Sequence, residues 1–236
     1  MKNSILTSLF ALLFMSSSFS QIGFSVGYKH LDATNWENLI ANYNVSVEDG
    51  LSPLKEGTDF AFDYWFRLKK RRVEFHPELS YSRFIRNSKD IDLKTGMINF
   101  SFHTNIYPFD FGEDCNCPTF SKDGSFMEKG LFLQISPVVS YMSNSFTDEA
   151  GTEKNNDIAY GLGLGVGIDF GLSDFITITP ILRYSYLLDA EWKDLDKHLN
   201  RDFEGAADKN VSDITTLYIG FRLGFRFDER NKYGYR

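Results

Sequence analysis

Past residue 20, this 236-residue chain has no apolar run of the length a membrane-crossing helix needs, about 20 residues. If it crosses a bilayer, it does so as strands. Basic charge is in short supply, 25 Lys and Arg against 32 Asp and Glu, which argues against a nucleic-acid partner. Cysteine is scarcer still. Cys115 and Cys117 are the whole supply, so a metal site built on them lacks two further soft ligands. Mean hydropathy is low, −0.28. That does not exclude a membrane barrel, because half of each spanning strand faces inward and is polar.

The first twenty residues read as an export signal. Lys2 supplies the positive start, residues 5–15 the apolar centre, and Ser18-Phe19-Ser20 a small-x-small cleavage site before Gln21. The expected organisation is a signal peptide over 1–20 and one domain over 21–236. No cysteine follows the cut, so a lipid-anchored N-terminus is not expected. Phenylalanine (23) and tyrosine (12) are abundant, as suits lipid-facing strands flanked by aromatic girdles.

Residues 158–170, IAYGLGLGVGIDF, carry the strongest pattern. Even positions from Ile158 to Phe170 are apolar, whereas odd ones are Ala159, four glycines and Asp169. Strict period-two alternation predicts a strand. Its bare face has nothing to pack into a core, so its bulky face must meet an apolar solvent, which points to a bilayer. The glycines 161–167 are not a phosphate loop, since they alternate within a strand and open no helix.

The same alternation predicts strands over 21–29, 58–69, 73–81, 98–106, 131–141, 176–188 and 215–227. The fold expected is all-β, an eight-stranded antiparallel transmembrane barrel in the outer membrane. Between strands lie a long segment at 31–57 with a short helix at 35–43, a basic turn at 69–72 and loops at 85–96 and 144–156. An irregular stretch follows strand four at 108–129, then come a turn at 171–174 and a charged, part-helical connection at 191–211. Short periplasmic turns and long outer loops put the acidic loops outside the cell, and make 108–129 a long periplasmic insertion. A lipocalin-like barrel with its apolar face inward fails on volume, because eight strands leave a lumen only wide enough for small fillers. A β-sandwich would place charges on the outer face, and the clearest strands have none there. Pro77, Pro137 and Pro180 fall on the outward face, where local bulges are expected.

The signal ending before Gln21, the eight alternating strands and the stretch NIYPFDFGEDCNCPTFSKDGSFMEKGLFLQISP (105–137) together resemble the small outer-membrane β-barrel proteins of Bacteroidota, the family called PorT-like or simply outer-membrane β-barrel. The resemblance implies location and fold. That family includes structural barrels and accessory subunits of envelope machines, type IX secretion among them, so it implies no single activity. Such barrels often end on the aromatic of the last strand, but here residues 228–236 extend past Phe227.

Asp63, Arg67, Glu74, Glu78, Asp169, Arg183, Arg222 and Arg226 fall on the inward face. They suit a buried ion network better than a gated channel or proton path, since eight strands leave little room for water. Glu74, His76 and Glu78, with His103 on the next strand, have metal-ligating chemistry. Positions i, i+2 and i+4 spread by about 7 Å per step, so a hydrogen-bonded cluster is favoured over a metal. Cys115 and Cys117 form Cys-x-Cys-Pro, read as a structural clip, with a strained redox disulfide as the alternative. Lys69 to Arg72 reads as a solvated turn at the membrane boundary, with anionic-lipid binding as the alternative. His30 with Asp32, and His198 with Asp194, are the candidate catalytic pairs, and neither has a recognisable context. No catalytic, cofactor or metal residue is assigned, and no enzymatic activity is expected. The expected role is structural or accessory: the barrel sits in outer-membrane lipid and docks on protein partners through the Cys115–Cys117 region and the outer loops. The alternative is a small pore or ligand-binding barrel.

Overall fold

Alternation does build the sheet. The computed structural model describes residues 21–45, 50–68, 71–89, 91–111, 119–199 and 205–227. The expected signal peptide, Lys69, Lys70, Cys115, Cys117 and the C-terminal extension lie outside these described residues. The strands are β1 (Gln21–Asp32), β2 (Glu56–Arg67), β3 (Val73–Asn87), β4 (Asp92–Ile106), β5 (Leu131–Asp148), β6 (Gly151–Ile168), β7 (Phe170–Gly171), β8 (Ile176–Glu191) and β9 (Val211–Arg226). All neighbours are antiparallel, and β1 pairs with both β2 and β9, which closes the barrel. The pieces β6 and β7 meet β8 in one register, Gly167↔Ile181 and Phe170↔Ile178, so together they form one stave of eight. Gln21 pairs with Arg226, placing both termini of the barrel at one end. We call this the terminal end and the opposite one the loop end.

The outward face is apolar along every stave. Val26, Phe62, Leu79, Phe100, Leu133, Leu162, Tyr184 and Phe221 all stand exposed. Such a continuous apolar belt is unstable in water, and its natural solvent is hydrocarbon. The chain is a membrane-spanning barrel of the outer-membrane type.

The three prolines do not make bulges. At Pro77 the β2–β3 ladder passes from Asp63↔Glu78 to Phe66↔Phe75 in unchanged register. At Pro137 the β4–β5 ladder passes from Ser101↔Val138 to Thr104↔Ile135 in the same way. At Pro180 the gap separates β6 from β7. A residue in an antiparallel sheet directs its N–H and C=O at the same neighbour, so proline removes rungs on one side only. The other side stays paired: Pro77↔Phe102, Pro137↔Leu162 and Pro180↔Phe221. A register shift does occur between Leu187 and Ala190, where Asp189 takes a positive φ of 49°.

Helix α1 (Thr34–Asn44) forms where one was expected, and the last long connection carries α3 (Leu195–His198) and a 3-10 turn (Ala207–Asn210). The stretch after β4 holds a 3-10 turn (Thr119–Ser121) and α2 (Phe126–Gly130), closed by a capping box between Ser125 and Glu128. Two expected loops are not loops. Strands β3 and β4 run on to leave only 88–91 between them, and β5 and β6 leave only 149–150. In these strand tips the outward positions are mostly polar (Arg83, Asn87, Asp92, Lys94, Ser145, Thr147) while Phe84, Leu93 and Phe146 point inward, so the alternation that marks the lipid-facing part does not carry on into them.

Candidate functional site: a filled lumen closed at both ends

The small face of each stave leaves room inside for side chains, and charges fill it. Arg222 clamps Asp63 bidentately, Nε to Oδ2 at 2.7 Å and Nη2 to Oδ1 at 2.6 Å. Gly23 makes this possible, because a β-carbon there would collide with both members of the pair. His76 stacks on Trp65 with ring centroids 5.8 Å apart, its Nδ1 3.5 Å from Asp63 and its Nε2 3.6 Å from Glu74. Next to this group, Arg183 Nη1 donates to both oxygens of Glu78 at 2.9 and 3.1 Å. His103 lies 3.2 Å from Glu78 through Nε2 and 2.6 Å from Ser136 Oγ through Nδ1. Lys29 pairs with Asp59 and donates to Ser82 at 2.8 Å. A cavity of about 40 Å³ lies among Lys29, Asp59, His103, Arg183 and Tyr218, room for a water or two.

The terminal end is closed by polar chemistry. Tyr107 directs its hydroxyl at Asp169 (2.6 Å) and Glu74 (3.0 Å). Burial, reinforced by those two carboxylates, keeps this phenol protonated by raising its pKa well above the usual value. Arg72 lies over the Tyr107 ring at 3.8 Å. It donates to Asp110 at 2.7 Å, Thr119 at 2.9 Å and the Lys129 carbonyl. Asp110 also receives Lys122 at 2.7 Å.

The loop end is closed by an apolar plug. Trp36, Leu39 and Ile40 of α1, Trp192, Leu195 and Leu199 of the last connection, and inward Phe84, Leu93, Met97, Met142 and Phe146 form one buried cluster. Trp36 and Trp192 meet edge to face at 5.5 Å, and the Trp36 indole donates to the Asn210 carbonyl at 2.8 Å.

The expected lumen network therefore forms around Asp63, Glu74, Glu78, Asp169, Arg183 and Arg222, while Arg67 and Arg226 lie half-buried at the terminal end. Glu74, His76, Glu78 and His103 do not converge as one set. His76 and His103 are cross-strand partners, yet they turn to different carboxylates. Among the described residues no group of three or more His, Cys, Asp or Glu is arranged to hold a metal ion. The basic turn is not wholly solvated, because Arg72 is 1% exposed. Its neighbours in sequence hid this, since a run of four cations reads as a surface. His198 does not engage the Asp194 side chain. It stacks on Phe146 at 5.0 Å and meets Glu153 at 3.2 Å, while Asp194 pairs with Lys197. His30 and Asp32 sit two apart on the outward side of β1, opposite Leu217 and Thr215. Sequence reasoning missed Lys29, Asp59 and Tyr107. The first two sit at inward parity on their strands, and that parity was the available signal.

No family model matches the sequence, and no curated protein is significantly similar to it. Among solved structures, surface protein A of Neisseria aligns with 89% of this chain and 98% of its own, at 12% identity and a TM-score of 0.48. A major outer membrane protein of Thermus thermophilus aligns with 87% of this chain and 99% of its own, at 13% identity and a TM-score of 0.46. Ail, the attachment invasion locus protein of Yersinia pestis, aligns with 88% and 99%, at 14% identity and a TM-score of 0.41.

Proposed function

We propose that this integral outer-membrane barrel is a structural or accessory component of a larger envelope assembly, acting through the surfaces at its two ends, neither a conduit nor an enzyme. The observation that carries the reading is the lumen. Arg222–Asp63, Arg183–Glu78 and Lys29–Asp59 span its interior, and chain closes it above and below. A barrel filled in this way offers a partner only its rims and connections. The residues after β4 and the two long connections at the loop end are the longest such stretches of chain. The resemblance to PorT-like barrels, whose relatives include secretion accessories, favours the same role.

Two measurements test it together. Purified protein in a planar bilayer should give no stepwise conductance, and mild-detergent purification from native membranes should bring down stoichiometric envelope proteins. Sustained single-channel currents would restore the pore reading. A solitary monomer whose deletion of 115–128 changes nothing in the cell removes the docking role.

A further inference from the structure

We propose that the α2 segment is a lipid-interface skirt: Phe126 and Met127, with Leu172 and Phe175 of the β7–β8 turn, extend the lipid-facing belt into the headgroup layer at the terminal end. The inference goes beyond the docking reading and does not rest on it.

The starting point is a contact. Phe126 packs on Phe170 with ring centroids 5.2 Å apart. Phe170 pairs with Ile178 and continues the even, outward set of β6, so its ring belongs to the belt that meets hydrocarbon. The connection therefore does not only cross beneath the barrel; at α2 it comes round the rim onto the lipid side. Four large apolar side chains stand open there: Phe126 at 55%, Met127 at 53%, Leu172 at 57% and Phe175 at 57%. In water, a set like this beside an apolar belt is a liability. At a bilayer boundary, aromatic and apolar side chains are stabilised.

The surroundings have interfacial chemistry. Lys129 Nζ sits 5.8 Å from the Phe126 ring centroid and donates to the Lys122 carbonyl at 2.8 Å, a cation beside an aromatic of the kind that suits a membrane boundary. The segment is also fastened to the barrel. Ser121 Oγ donates to Asp174, the Phe120 backbone lies against Gly171, and Gly130 lies against the Asp169 backbone so closely that a β-carbon would meet its carbonyl at 2.5 Å. Fixed in this way, Phe126 stays beside the belt. Continuity with the belt is what selects lipid over a protein as the occupant.

The test uses the full mature chain reconstituted alone into phosphatidylethanolamine–phosphatidylglycerol vesicles. On a Cys115→Ser, Cys117→Ser background, a nitroxide is attached at Met127→Cys or, for comparison, at the exposed Asp123→Cys. Collision with oxygen, which concentrates in lipid, is compared with collision with a water-soluble nickel chelate. We expect oxygen to exceed nickel several-fold at 127, with the order reversed at 123. Equal nickel access at both positions overturns the skirt. A second label at Leu172→Cys, on the barrel's own turn, guards against local damage to α2, and nickel access there overturns it equally. The vesicles contain no partner protein, so either failure leaves the docking reading to stand or fall on its own experiments.

Discussion

The two ends of this barrel are closed by opposite chemistry. At the loop end, tryptophans and leucines from α1 and the last connection drop into a mouth lined by Phe84, Met97, Met142 and Phe146. At the terminal end, Arg72 is buried among Tyr107, Asp110, Thr119 and the Lys129 carbonyl. An apolar plug is stabilised by area removed from water and tolerates imperfect fit. A buried cation is stable only while every partner is in place, because desolvating an unpaired charge is costly. The terminal end should therefore fail sharply when one group is removed, and the loop end by degrees.

The sharpest way to break the contrast is Arg72→Ala. It takes away the arginine that lies 3.7 Å from Glu74 and 3.9 Å from Asp169. We expect a loss of about 3–5 kcal/mol in urea unfolding of the vesicle-bound protein, as for a broken buried pair. Leu195→Ala in the plug should cost less, about 2–3 kcal/mol, the low side for a buried leucine, because a mouth next to water can collapse onto the gap. A plug variant that proves more damaging than the Arg72 variant would reverse the comparison.

A third test uses acid. Partial burial works to raise the Asp110 carboxyl, but hydrogen bonds from Lys122 and Arg72 outweigh it and hold the pKa below the ordinary carboxylate value. A depressed folded value means that its contribution is complete above the unfolded pKa of about 4 and is lost as pH falls through the folded one. Hydrogen exchange in 119–130 should therefore speed up below about pH 4, while exchange in α1 should not. Asp110→Asn should remove that difference in slope. The smallest effect belongs to Lys55→Ala, which removes the half-exposed bridge to Glu37 of α1 at 2.9 Å. We expect at most about 1 kcal/mol, vanishing at high salt.

What was legible followed from solvent. Eight staves and their outward faces could be read because hydrocarbon demands bulky residues at every second position, as from Ile158 to Phe170. The strand tips at 82–87 and 144–148 were not legible, since in water their outward positions need not be bulky and apolar. Nor was the plug: Met97 and Met142 are apolar at inward parity, and only their place in the buried cluster at the loop end explains them. Pro180 looked like a bulge because a local rule counts lost hydrogen bonds without knowing which neighbour loses them.

Period-two alternation alone determined that this chain forms a barrel, which side of each stave meets lipid, and which charges turn inward, because a strand's geometry projects sequence parity directly onto two faces. Only the tertiary structure decided how the inward charges pair, that Arg72 closes one end and tryptophans the other, and that α2 returns to the lipid side. Those outcomes join residues 159 and 174 positions apart, as in Asp63–Arg222 and Trp36–Asn210, and no local pattern records a partner so distant.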